Sequence, residues 1–190
     1  MPIFPNGTAF LGEGMVIGPD GKLYVCDGFF DRILRMNQDG TQVEVIYDQA
    51  TTSPAQCGGQ ACPTGPEGPT FLNGDLYFNT RQNGPCSALP ICGLSGPGEG
   101  VWKIPIVGVP VGGPFPLPVQ LLQTSIFGEG TTFDANDNLL IVDSTGNRVL
   151  KSAPPYNTVS PLINPTPLGM PAAYLRRLQR DHRRPCLHEL

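Results

Sequence analysis

Three stretches of the chain share one order of apolar and polar positions. Residues 12–27 read "GEGMVIGPDGKLYVCD", residues 66–80 "PEGPTFLNGDLYFNT" and residues 128–143 "GEGTTFDANDNLLIVD". Each passes from Glu-Gly into a short apolar run, a turn and a second apolar run. The runs alternate with a period near two, as in strands, and Gly, Asn, Asp and Pro clusters break them. The pattern predicts strands at about 14–18, 22–26, 31–36 and 42–47 in the first unit, with "GPDG" and "NQDG" as turns. It predicts about 68–72, 75–79, 100–105 and 117–123 in the second, and about 130–134, 138–142, 147–151 and 157–163 in the third. Helix signals are nearly absent before residue 171.

Aligning the units on Glu-Gly puts Glu13, Glu67 and Glu129 in register. Asp27 and Asp143 each follow their Glu by fourteen positions, and Arg32 and Arg148 come five later. The second unit has Thr80 in place of the Asp, and "RQNGPCSALPICGLSGPGEG" is inserted before "VWKIPI". A repeat of about 40–50 residues built from four strands is the signature of a β-propeller blade. The expected fold class is therefore all-β, a β-propeller of the six-bladed type represented by about three four-stranded blades. The blades fall at about 11–50, 66–125 and 127–165 within a partial propeller spanning 1–170.

At the level of these segments, "GPDGKLYVCDGFFDRILRMNQDG" and "FDANDNLLIVDSTGNRVLK" resemble NHL repeats and blades of the senescence-marker-protein/gluconolactonase family. The resemblance covers about residues 11–165 and implies a ring of blades, usually six. It also implies a divalent metal at the channel, held by residues that begin inner strands. Glu13 in "GEGMV" and Glu67 in "PEGPT" resemble the family's "EGP" acid. The family mixes Glu with Asn and Asp, whereas all three matching positions here are Glu.

Charge is divided along the chain. The formal net charge is −4, but "PAAYLRRLQRDHRRPCLHEL" holds five of the twelve basic residues, leaving 7 − 14 = −7 over residues 1–170. An acidic body repels phosphate backbones, so nucleic acid is not an expected partner, and a cation is. Residues 171–190 lack strand alternation and carry both histidines, His182 and His188. They read as a basic tail, disordered or helical, in a foreign or shifted frame, which would make the chain a fragment of a larger propeller. No run approaches the ~20 apolar residues of a membrane helix, and "MPIFPNGTAF" has no signal-peptide pattern. Cys57 and Cys62 in "CGGQAC", and Cys86 and Cys92 in "CSALPIC", sit at spacings that favour disulfides over a zinc knuckle. An extracellular or periplasmic protein whose leader is absent from this chain is the expectation.

Strand directions alternate within a blade. Glu13, Glu67 and Glu129, at the entrances of the inner strands, should therefore share one channel mouth with Asp27, Asn79, Thr80 and Asp143, at the ends of the second strands. The long segments 48–66 and 81–99 fall on that face, and gathered insertions mark a binding face. Converging carboxylates repel unless a cation or proton compensates, and Ca2+ accepts 6–8 oxygen ligands. Glu13, Glu67, Glu129 and Asn79 are the candidate metal ligands. Asp143 or Asp27 is the candidate base of a calcium-type hydrolase acting on a small-molecule lactone or ester. The structural alternatives are Glu carboxylates that accept backbone N–H bonds, Asp residues that cap turns or pair with Arg32 and Arg148, and Trp102, Tyr24 and Tyr77 in the core. Two further readings are a non-enzymatic propeller binding a protein or glycan through its loops, and an inactive truncated product. Uncovered strand edges recruit others, so self-association is also expected.

Overall fold

The computed structural model describes residues 14–28, 30–57, 61–80, 99–123, 128–143 and 148–163. Glu13, Cys86, Cys92 and the whole of 171–190 lie outside these residues, as do the expectations placed on them. The described chain forms three four-stranded antiparallel sheets, each of four consecutive strands. The first holds β1 (Met15–Ile17), β2 (Leu23–Asp27), β3 (Arg32–Met36) and β4 (Glu44–Asp48). The second holds β5 (Pro66–Leu72), β6 (Asp75–Thr80), β7 (Gly100–Pro105) and β8 (Val119–Gln123). The third holds β9 (Gly128–Phe133), β10 (Leu139–Asp143), β11 (Arg148–Ser152) and β12 (Ser160–Ile163). Two short 3-10 turns, Gln49–Thr51 and Pro54–Cys57, open the connection from β4 to β5. Among the described residues no helix is long and apolar enough to cross a membrane.

The inner strands β5 and β9 begin two residues earlier than their apolar runs, because the Glu-Gly step is itself paired into the sheet. Pro66 stands opposite Thr80, Glu67 opposite Asn79, and Gly128 opposite Asp143. Each inner strand absorbs its extra length in a bulge beside that step, between Glu67 and Thr70 in β5 and opposite Val142/Asp143 in β9. In contrast, β12 starts three residues later than its pattern, because residues 153–159 turn inward to bury Tyr156, whose hydroxyl donates to the Asp137 carbonyl at 2.9 Å.

Alternation decides which side chain meets which sheet. In β6 and β7 the cross-strand pairs Leu76/Ile104 and Phe78/Trp102 face one way, and Tyr77/Lys103 and Asn79/Val101 face the other. The first set packs with Tyr24, Cys26, Ile33, Ile46 and Tyr47 of the first sheet. Tyr77 and Val101 pack instead with Leu139, Ile141, Leu150 and Tyr156 of the third. The middle sheet thus lends apolar residues to a core on each face, as expected where sheets stack radially, and each interface has its own core. Phe71 sets its ring edge-to-face on Tyr24 at 4.9 Å, and Phe133 does so on Tyr77 at 5.0 Å, repeating one contact at both interfaces.

A charged clasp reinforces the first interface. Arg35 in β3 is 1% exposed; its Nε donates to Glu44 at 2.9 Å, and its other nitrogens donate to the carbonyls of Val109 and Pro110 at 3.1 and 3.0 Å. Its guanidinium lies 4.7 Å from the Phe115 ring centre. The connection 106–118, of which alternation leaves 106–116 blank, is therefore anchored on the neighbouring sheet, and β8 begins two residues later than its pattern.

Arg35→Ala strips three carbonyl or carboxylate groups of their donor and should cost about 3–5 kcal/mol in urea unfolding. Asp134 accepts from the backbone N–H groups of Asn136 and Asn138, and these bonds lower its pKa from 3.8 to about 2. A depressed carboxyl stabilises above its unfolded pKa and loses that contribution as pH falls through the folded one. Asp134→Ala should therefore lower Tm at pH 5 and flatten the fall of Tm between about pH 4 and pH 2, read by circular dichroism.

Candidate functional site

Pairing registers fix the end of each sheet at which the chemistry gathers. Because Pro66 faces Thr80 and Gly128 faces Asp143, inner strands start where second strands finish, and third strands start there too. Asp27 is directly opposite Arg32, and Asp143 opposite Arg148. The connection 49–65 leaves from the same end, tied down by the Cys57–Cys62 disulfide and by Asp31, whose carboxylate accepts from the Gly65 N–H at 2.6 Å. Burial pushes the Asp31 pKa up despite that bond. The Tyr47 hydroxyl donates to the Pro63 carbonyl, and burial raises its pKa as well.

The glycines of the repeated Glu-Gly steps bring the inner strands together. A Cβ added to Gly14 would lie 2.8 Å from Pro69 and 3.2 Å from the Gly68 nitrogen. One added to Gly68 would run into the Gly130 Cα and the Thr131 nitrogen, closer than real Cβ atoms come. Gly68 also has φ +51°, which disfavours any side chain, and the Thr131 hydroxyl donates to its carbonyl. Gly14, Gly68 and Gly130 therefore stack in turn. Gly68 and Gly130 directly follow Glu67 and Glu129, so the backbone positions of these two acids are neighbours on adjacent inner strands. Glu129 occupies β9 between Gly128 and Gly130. Glu13, the residue before Gly14, is outside the described residues.

Glu67 and Asn79 are the best-defined members of the set. They are cross-strand partners, 1% and 2% exposed, on the face of the middle sheet that meets the third. The positions matching Asn79 in the other two units are Cys26 and Val142. Asn79 is thus a polar residue at a site that elsewhere takes apolar ones. Among the described residues neither its amide oxygen nor its amide nitrogen has a hydrogen-bond partner.

Asp27 and Asp143 share a different arrangement. Each is buried, and each gives one carboxylate oxygen to the Nε of the facing Arg at 2.8 Å. Alternation separates them: Asp143 lies on the β10 face of Leu139 and Ile141, toward the middle sheet, whereas Asp27 lies on the β2 face of Val25, away from it. Only Asp143 is therefore turned to the interface that holds Glu67 and Asn79. Thr80, in the same row, uses its hydroxyl to accept from the Gly100 N–H at 3.0 Å. Tyr24, Tyr77 and Trp102 are core residues.

Sequence reasoning overlooked Glu99. It precedes Gly100 at the start of β7, is 7% exposed, and sits at this same sheet end, where its carbonyl accepts from the Gln120 side chain at 3.0 Å. The signal was a further Glu-Gly dipeptide, hidden because it opens a third strand rather than a first. Among the described residues no group of three His, Cys, Asp or Glu side chains is placed to hold a metal. An open cleft of about 390 Å³, lined by residues 45–48, 51, 52 and 115–118, is elsewhere, along the outer strands.

The close approach of inner strands yields a sharp contrast. Gly68→Ala should cost about 2–4 kcal/mol, summing a left-handed backbone and overpacking, whereas Gly130→Ala should stay within about 0.5 kcal/mol. Denaturant midpoints of the two variants measure it.

No family model matches the sequence, and comparison with curated proteins finds no match. Solved structures do match. A catalytically inactive virginiamycin B lyase from Staphylococcus aureus, solved with quinupristin, is similar at 16% identity and TM-score 0.54, over 86% of this chain and 44% of the lyase. A putative gluconolactonase is similar at 17% identity and TM-score 0.48, over 78% of this chain and 47% of that one. This chain spans less than half the length of either. The lyase is a β-propeller protein, and the three four-stranded sheets described here are blades of that fold.

Proposed function

We propose that the channel mouth built by the Glu-Gly steps is a divalent-cation site of the calcium type in a lactonase- or esterase-like hydrolase propeller. The observation that carries this reading is Asn79: a buried amide without a hydrogen-bond partner among the described residues, directly across the strand pair from the buried Glu67. Leaving such an amide unsatisfied costs about 1–3 kcal/mol, which evolution tolerates where the group has a ligand to meet. Carboxylate and amide oxygens are the donors a hard cation prefers. Glu67 and Asn79 would supply two of them, and Glu13 and Glu129, each followed by a glycine that stacks beside Gly68, would supply the others.

A bound cation would polarise a lactone or ester carbonyl and stabilise the oxyanion that develops on it. Asp143, facing the same interface, is the candidate to take a proton from water, with Arg148 orienting its carboxylate. Asp27 is turned from that interface and braces the sheet through Arg32. The likeness to solved structures supports the fold and leaves the reaction to the site, since one fold carries many chemistries. The Cys57–Cys62 disulfide fits an extracellular or periplasmic location.

Asn79→Val installs the residue that the third blade has at the matching position. It should raise unfolding stability by about 1–2 kcal/mol without added cation and abolish the Tm increase produced by millimolar Ca2+. Glu67→Gln should weaken calorimetrically measured Ca2+ binding at least tenfold. A destabilised Asn79→Val protein, or wild-type protein that gives no heat and no Tm shift with Ca2+, overturns the proposal.

A further inference from the structure

The chain reaches Glu67 through a segment that is irregular and nonetheless buried. Cys62, Pro63, Gly65, Pro66 and Glu67 are all buried, although β5 begins only at Pro66. Buried backbone outside regular structure needs partners for its polar groups. The first blade supplies them. Asp31, in the turn between β2 and β3, gives a carboxylate oxygen to the Gly65 N–H at 2.6 Å, and its own carbonyl accepts from the Gln49 N–H at 3.1 Å. One residue therefore grips the connection 49–65 at its first position and at its last. Tyr47, in β4, adds the bond from its hydroxyl to the Pro63 carbonyl, two residues before Gly65.

Asp31 occupies this place against its own preferences. Burial pushes its pKa up, and the Asp48 and Asp27 carboxylates add to that push, so charge is disfavoured there. Its backbone is also left-handed, with φ +52°, a conformation uncommon outside glycine. Gly65, its partner, has φ +53°. What the arrangement provides is a charge-assisted bond to a backbone N–H, stronger than a neutral one, acting two residues ahead of Glu67. Local rules broken in this way are expected where a position matters to function.

We propose that Asp31 is a positioning residue: by fixing Gly65 to the first blade it sets where β5 begins, and with it the place of Glu67 opposite Asn79. The entrance of β5 is then held to the first blade at two points, the Asp31 bond to Gly65 and the contact of Gly14 with Gly68. The effect of Asp31 on cation affinity rests on the calcium-type site proposed for the channel mouth, whereas its effect on β5 does not.

Two substitutions at one position separate the bond from the backbone. Asp31→Gly removes the carboxylate and suits the left-handed conformation, while Asp31→Asn keeps an oxygen acceptor without the charge. On the full chain, Asp31→Gly should speed native-state amide exchange in β5 about tenfold and weaken calorimetrically measured Ca2+ binding about tenfold. Asp31→Asn should stay within about threefold of wild type in both. Tyr47→Phe should move both readings in the direction of Asp31→Gly, which keeps the test decisive if that variant fails to fold. Asp134→Ala, destabilised at a remote turn, should move neither, as a merely structural loss would not. Unchanged β5 exchange in Asp31→Gly, or in Tyr47→Phe where only that variant folds, overturns the proposal. So does Asp31→Asn as impaired as Asp31→Gly, Asp134→Ala matching it, or faster exchange with Ca2+ affinity intact. Wild-type protein that binds no Ca2+ removes the cation site alone, and the exchange rates then decide the role of Asp31.

Discussion

The contact on which the rest of the structure depends is the backbone-to-backbone approach of inner strands at Gly68 and Gly130. Sheets arranged around an axis have least room at their inner edge, and a side chain at that edge would push neighbouring sheets apart. Glycine removes the obstruction, and at Gly68 it also accepts the positive φ that a bulge imposes. Once the inner edges meet, both faces of the middle sheet are brought within packing distance of their neighbours. The two separate cores, with Phe78 and Trp102 on one side and Tyr77 and Val101 on the other, follow from that convergence. Glu67 and Glu129 directly precede these glycines, so their backbone positions are brought side by side by the same constraint.

Much of this was legible in the sequence, for identifiable reasons. Strand positions followed from a period of two, because each face of a blade needs apolar residues at alternate positions. The Asp27–Arg32 and Asp143–Arg148 pairs followed from their five-residue offset, since a tight connection between second and third strands sets such residues opposite one another. The disulfide Cys57–Cys62 followed from spacing. What stayed hidden is information that a linear pattern does not hold. Alternation says that neighbouring residues face opposite ways, but not which way is inward, so Asp27 and Asp143 looked equivalent as candidate bases. Attention to the acidic half of Glu-Gly obscured the glycine, whose role depends on a strand of another blade. The stretch 106–116 lacks alternation because Arg35 holds it through the Val109 and Pro110 carbonyls, which any sequence could offer.

At the channel end, the three units are alike in backbone and unlike in chemistry. Cys26, Asn79 and Val142 occupy one structural position, and only the middle blade places an amide there. Asp27 and Asp143 each bind an Arg, while Thr80 caps the start of β7. The middle unit has therefore given up its bracing pair, and it is the one that carries Asn79 opposite Glu67. A repeat fold lets one unit diverge in this way because its neighbours continue to supply the scaffold.

The middle sheet is also where the molecule is joined. Its two faces belong to different cores that have no residue in common, so the first and third blades communicate through this sheet, whose inner strand β5 touches β2 on one side and β9 on the other. Stability in such a linear array is passed from neighbour to neighbour. The amide protons of β6 and β7 should accordingly be the last to exchange with solvent, and loss of the outer blades, one at a time, should precede their release. Cooperativity in this protein thus resides in the thickness of a single sheet.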